Sequence, residues 1–158
     1  MQQVGWRRTR RGGLATRAAG GSLALLGAIA IAQAAAPGLA ISHPWMRTVV
    51  PTRPAAGYFT LTNDSAKPHS LVGAESSACG MLMLHKSVHE NGQESMVMVK
   101  SISVAAHGSV VFAPGGYHLM CMSPTAAVMP GHTVPVTLRF ADGTTLTAPF
   151  PVRGATGK

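Results

Sequence analysis

The segment GGYHLMCM, Gly115 to Met122, decides how the chain is read. It places a histidine, two methionines and a cysteine within five consecutive residues, behind a glycine pair and just ahead of Pro124. Between such breakers the run is too short for a helix and reads as a strand. Alternate strand side chains share a face, so His118, Met120 and Met122 line one side and Tyr117, Leu119 and Cys121 the other. The second set has the character of a core. The first is either an oddly polar core stripe or half of a soft-metal site.

The rest of the chain after about residue 35 carries the same short-strand rhythm. Runs at Ala40–Trp45, Gly57–Thr62, Ser70–Ala74, Met81–His85, Ser109–Phe112, Val134–Phe140 and Thr144–Val152 are separated by Pro, Gly, Asn and Asp. Ser95–Val104 fits either one strand or two. Asn91-Gly92 and Asp142-Gly143 are hairpin signals, because their residues accept the positive φ that tight hairpin turns need. No long amphipathic helix is visible. Eight or nine short strands at this spacing predict an all-β fold, an antiparallel sandwich or barrel.

Two further segments share the donor chemistry of the first. In MLMLHK, alternation puts Met81, Met83 and His85 on one face; in ESMVMVK, Met96 and Met98 share one. The Asn-Gly turn between them makes these strands neighbours, so His85 and Met96 are expected close together. Thioether sulfur is soft and uncharged, and suits Cu(I) rather than Mg²⁺ or Ca²⁺. Zinc prefers Cys, His and carboxylate, and acids are few here. Taken singly, each methionine is more often a core filler and each histidine a polar rim residue. Two histidines with several methionines at alternating positions point instead to a metal.

The formal net charge of +8 raises a nucleic-acid reading, which the positions of the charges exclude. Arg7, Arg8, Arg10, Arg11 and Arg17 precede an apolar run, Leu23 to Ala36, that contains Ala32-Gln33-Ala34. A basic region, an apolar segment and an A-x-A site form an export signal, with cleavage expected after Ala34. The apolar run is short for a membrane span, which leaves an uncleaved anchor as the lesser alternative. Thr9-Arg10-Arg11 resembles a twin-arginine signal, but Gly12-Gly13 follows where a bulky apolar residue is usual, which favours Sec export. Without residues 1–34 the net charge falls to +3, with scattered basic residues. The expected organisation is a signal peptide at 1–34, one β domain at 35–153 and a short mobile tail at 154–158.

In an exported chain Cys79 and Cys121 can form a disulfide or stay two small buried thiols. Pairing requires the Cβ atoms to meet, which spacing does not show, and the reading favours unpaired thiols. A blue-copper electron carrier needs a thiolate beside two histidines and a weak axial methionine. Alternation points Cys121 away from His118 and Met120, which weighs against it. Asp64, Glu75, Glu90, Glu94 and Asp142 are the only acids; they fall mostly at turns and suggest no catalytic pair, so an enzyme is not expected.

His85, ten residues, Met96, twenty-one residues, then His118-Leu119-Met120 resembles the H-x10-M-x21-H-x-M signature of the periplasmic copper chaperones called PCu(A)C. HPWMR, AAGYFTLTN, LVGAES, PGGYHLM and VPVTLRF are similar to that family's text as well, so the resemblance runs from about Ile41 to Arg153. It implies a cupredoxin-like Greek-key β-sandwich. It also implies one Cu(I), held by His85, Met96, His118 and Met120. The implied task is delivery of copper in the periplasm toward cytochrome c oxidase, notably its Cu(A) centre. The partners would be copper-accepting proteins, such as an oxidase subunit or another copper chaperone, and the chain a monomer. Met81 and Met83 depart from the family, which usually has polar residues before the first histidine. The tail lacks the His and Met that some members carry there. His43, His69, His89, His107 and His132 are expected to be exposed and not to bind metal.

Overall fold

The structure is a computed structural model that describes residues 37–50, 52–90 and 92–157. The expected signal segment lies outside the described residues, as does Asn91. Among the described residues all regular structure is β. In chain order the strands are β1 (Leu39–Arg47), β2 (Ala55–Asn63), β3 (His69–Glu75), β4 (Cys79–Glu90) and β5 (Gln93–Met98). They continue as β6 (Ile102–Val104), β7 (Gly108–Phe112), β8 (Tyr117–Pro124), β9 (Thr133–Phe140) and β10 (Thr145–Arg153). The ten strands run in the order β5-β4-β8-β7-β2-β1-β10-β9-β3-β6, so several sequence neighbours are spatially apart, as in a Greek key.

A short parallel pairing, Met46↔Val152 and Arg47↔Arg153, joins two halves of this sheet. Their inner faces meet in one core. Leu61, Leu84 and Leu119 from the first half and Leu71, Val136 and Leu138 from the second belong to the same buried cluster. Phe59 meets Phe150 edge-on across it, ring centroids 5.7 Å apart. Folding the sheet over itself buries the apolar alternate positions that the sequence displays.

The segment Ser95–Val104 is two strands, in two different halves. The Val99 N–H still donates to the Leu84 carbonyl of β4; beyond it the chain leaves that strand, and β6 pairs with β3 through His69↔Val104 and Leu71↔Ile102. In β1 the register with β2 slips between Ser42 and Trp45, where His43 has φ 52°. The extra residue of this bulge reverses the alternation, so that Leu39 points inward before it and Met46 after it. Trp45 and Arg47 are thereby turned to the outer face, opposite Tyr58 and Ala56.

Cys79 and Cys121 form a disulfide, contrary to the expectation of free thiols, with Cα atoms 5.4 Å apart. Strict alternation would set Cys79 with Met81, on the face away from Cys121. That alternation fails at the start of β4. Cys79 closes a turn there, its N–H donating to the Ser76 carbonyl, and Ser123 in the facing end of β8 takes φ 47°. The twist brings the two Cβ atoms together on the core side.

Candidate metal centre

Strands β5, β4 and β8 lie side by side, and their register fixes which side chains share the outer face. Across β4 and β8, Met81 faces Met122, Met83 faces Met120 and His85 faces His118. Across β4 and β5, His85 faces Met98 and Ser87 faces Met96. Directly opposed residues of an antiparallel pair project to the same side. One face therefore carries both histidines and six methionines. The opposite face of β4 and β8 carries Leu82, Leu84, Leu119 and Cys121, all buried.

The register refines one expectation. Met98, not Met96, is the direct neighbour of His85, and Met96 sits one diagonal step away. Met96, however, lines an open cleft of about 590 Å³ together with His118 and Met120, and Met98 is not in its wall. His85 reaches this group through His118, their rings nearly parallel with centroids 5.9 Å apart. Two walls of the cleft, Arg47 and Tyr58, carried no signal of their own in the sequence. They belong to a stack in which Trp45 lies 4.8 Å from Tyr58, the Arg47 guanidinium 5.6 Å from the Tyr58 ring, and Tyr58 6.5 Å from His118. The β1 bulge delivers this stack, and strict alternation does not foresee a bulge.

The two imidazoles have donor atoms to spare. His118 Nδ1 lies 3.1 Å from the Gly116 carbonyl. A carbonyl only accepts, so Nδ1 carries the hydrogen and Nε2 keeps its lone pair. Burial pushes the His118 pKa below its ordinary value; the Gly116 bond opposes this, and His85 and Arg47 reinforce it. The ring is therefore neutral at neutral pH. His85 Nδ1 is buried and has no hydrogen-bond partner among the described residues. A buried polar nitrogen without a partner is costly, and a metal ion is one way to satisfy it.

Other donors are committed elsewhere. The disulfide consumes both thiols, so the thiolate of a blue-copper site is absent. Among the described residues no three His, Cys, Asp or Glu side chains converge, as a zinc site would require. His43, His89, His107 and His132 are exposed, as expected. His69 is not. It is partly buried, with Nδ1 3.0 Å from an Asp142 carboxylate oxygen and Nε2 3.3 Å from the Ser65 hydroxyl. That Ser–His–Asp line is structural in character, since the Ser65 hydroxyl donates to Asn63 Oδ1 at 2.7 Å and is not left to be activated by His69. Asn63 in turn ties β2 to the carbonyls of Lys67 and Ala105.

The family model described as "Putative lipoprotein LpqE-like" matches residues 39–152. "Putative lipoprotein Lxx21020" of Leifsonia xyli subsp. xyli is 36% identical over 123 residues, covering 77% of this chain and 74% of that protein. The solution structure of Cu(I)-DR1885 from Deinococcus radiodurans is 33% identical with a TM-score of 0.58, covering 75% of this chain and 81% of that one. The copper-bound PCuAC domain from PmoF2 has a TM-score of 0.62 and covers 77% of this chain and 97% of that domain. At 22% identity its likeness is one of fold, the cupredoxin-like β fold.

Proposed function

Since the chain belongs to the LpqE-like family, within the PCuAC copper-chaperone group, we propose that it is a carrier of Cu(I) rather than an enzyme. One ion is held by His85, Met96, His118 and Met120. The observation that carries this reading is the meeting of Met96, Met120 and a neutral His118 at one cleft, backed by the unpartnered His85 nitrogen. Two neutral imidazoles and two thioethers add no charge, so the complex keeps the single charge of copper. Such a donor set selects a soft monovalent ion over Zn²⁺ or Mg²⁺.

Release is built into the same geometry. Every residue of the edge strand β5 is exposed, and Met96 has 60% of its surface free. An incoming protein's ligands can therefore displace the Met96 thioether before the more buried His118 lets go. The carrier works outside the cytoplasm, in the periplasm after Sec export. It acts as a monomer and hands copper to a protein of the same chemistry. The acceptor is the Cu(A)-bearing subunit of cytochrome c oxidase or another copper chaperone on the way to it.

The test is anaerobic Cu(I) titration against a competing chelator, with X-ray absorption on the complex holding one equivalent. One tight equivalent with both nitrogen and sulfur neighbours is expected. Equal retention of Zn²⁺ and Cu(I) after dialysis would overturn the reading.

A further inference from the structure

Beyond the four-residue site, the outer face carries methionines that the proposed carrier site does not use. Met81 and Met122 are a directly opposed pair, as are Met83 and Met120, so four thioethers form a two-by-two block at the Cys79 end of β4 and β8. Directly opposed Cβ atoms lie about 5 Å apart and successive pairs on one face about 7 Å, within reach of an unbranched side chain with three rotatable bonds. These are not core fillers. Met81 is 58% and Met122 36% exposed, while Leu82, Leu84 and Leu119, their sequence neighbours on the other face, are buried.

We propose that Met81, Met83 and Met122 form a second site for a soft monovalent ion, Cu(I) or Ag(I), beside the first and distinct from it. Met81 and Met122 lie too far along the strands from the two histidines to share one centre with them. Met122 lies four positions along the chain from His118, and Met81 four positions from His85, about 13 Å of extended chain in each case. Met83 and Met120 lie between. With Met120 given to the first site, three thioethers remain, and three soft neutral donors suffice for a monovalent d¹⁰ ion. The second ion is held more weakly, because its ligands are more exposed and none is an imidazole. Its place next to Met120 makes it a reserve position from which the first site can be refilled.

This inference concerns a different set of ligands from the carrier site, and the experiment separates the two. The chain is titrated anaerobically with Cu(I), and in parallel with Ag(I), against a chelator. Wild type is compared with the Met81→Leu/Met122→Leu double variant and with His118→Ala, each checked for fold by circular dichroism. Leu-for-Met exchange keeps volume and removes only the donor. Two equivalents are expected for wild type. The double variant should lose the weaker one and hold the first within about twofold, whereas His118→Ala should lose the tighter and keep the weaker. The ε-methyl NMR signals of Met81 and Met122 should move only during the second equivalent. A single equivalent in wild type overturns the second site and leaves the carrier reading standing. Two equivalents retained by the double variant overturn it also. If His118→Ala leaves both equivalents intact, it is the carrier ligand set that fails.

Discussion

The inner and outer faces of the β4–β8 pair share one backbone, one register and nearly the same residue sizes, yet they differ in what their side chains leave free. On the inner face Leu82, Leu84, Leu119 and Cys121 are buried, and the only reactive atoms there, the cysteine sulfurs, are spent on each other. On the outer face the sulfurs of Met81, Met83, Met120 and Met122 cannot pair, and the histidines keep an unprotonated Nε2 on His118 and an unpartnered Nδ1 on His85. The contrast is not one of hydrophobicity, since methionine and leucine are close in size and both suit a core. It is one of uncommitted donor atoms. Cysteine sulfur holds the fold here, and methionine sulfur is left uncommitted.

The largest expected effect tests the inner face. Removing the disulfide in a Cys79→Ala/Cys121→Ala variant should destabilise the domain by about 4 kcal/mol, the chain-entropy figure for a crosslink between residues 42 apart. Urea unfolding measures this, and Cu(I) affinity should stay within about twofold of wild type if the faces act separately. A folded variant with greatly weakened copper binding would break the division between the faces. The outer face should show the reverse. His118→Ala is expected to weaken the first Cu(I) equivalent by about 100-fold or more, since even outer-shell changes cost 10–100-fold in metal affinity. Chelator competition reads that loss directly.

Much of this contrast was legible in the sequence, and the rest had definite reasons for being hidden. Period-two alternation alone separated His118, Met120 and Met122 from Leu119 and Cys121, and Asn91-Gly92 announced that β4 and β5 adjoin. The cupredoxin-like fold followed from the family resemblance. What escaped were the places where alternation breaks. The β1 bulge turns Trp45 and Arg47 to the outer face, Arg47 into the cleft wall, and the turn before Cys79 swings that cysteine inward to its partner. The role of His69 was invisible for another reason. Its partners Ser65 and Asp142 sit in separate turns, and only β9 pairing with β3 brings Asp142 within reach.

The edge strand offers a finer cut through the outer face. Met96 and Met98 are both exposed, and both project from β5 to the same side. Met98 is the direct neighbour of His85, but Met96 lines the cleft with His118 and Met120. Met96→Leu should weaken the first equivalent by about tenfold, some 1.4 kcal/mol, while Met98→Leu should change it by less than about threefold. Neither variant should alter stability measurably, because the whole strand is solvent-exposed. If Met98→Leu proves the more damaging, strand register rather than the cleft selects the ligand, and Met98 replaces Met96 in the site.

The smallest effect is a matter of sign, and it concerns His118, the most buried outer-face residue of the β4–β8 pair. The folded chain holds the His118 pKa below its ordinary value of 6.5, chiefly through burial, with the charges of His85 and Arg47 adding to the same direction. In the window below 6.5 the unfolded chain therefore binds more protons at this residue than the folded one. Where the unfolded state binds more protons, stability rises with pH. The His118 contribution is thus fully present above pH 6.5 and is lost as the pH falls through the folded value. Urea unfolding of the metal-free protein between pH 7.5 and pH 5 should show a positive pH slope from this residue, and the His118→Gln variant a shallower one. Protons should likewise compete with Cu(I) for the His118 Nε2 only at pH values below the ordinary histidine value, because burial holds the His118 pKa down. A variant with an unchanged or steeper slope would mean that His118 is not the buried, neutral imidazole of the outer face. The donor that sets this face apart from the inner one would then have to be sought in His85.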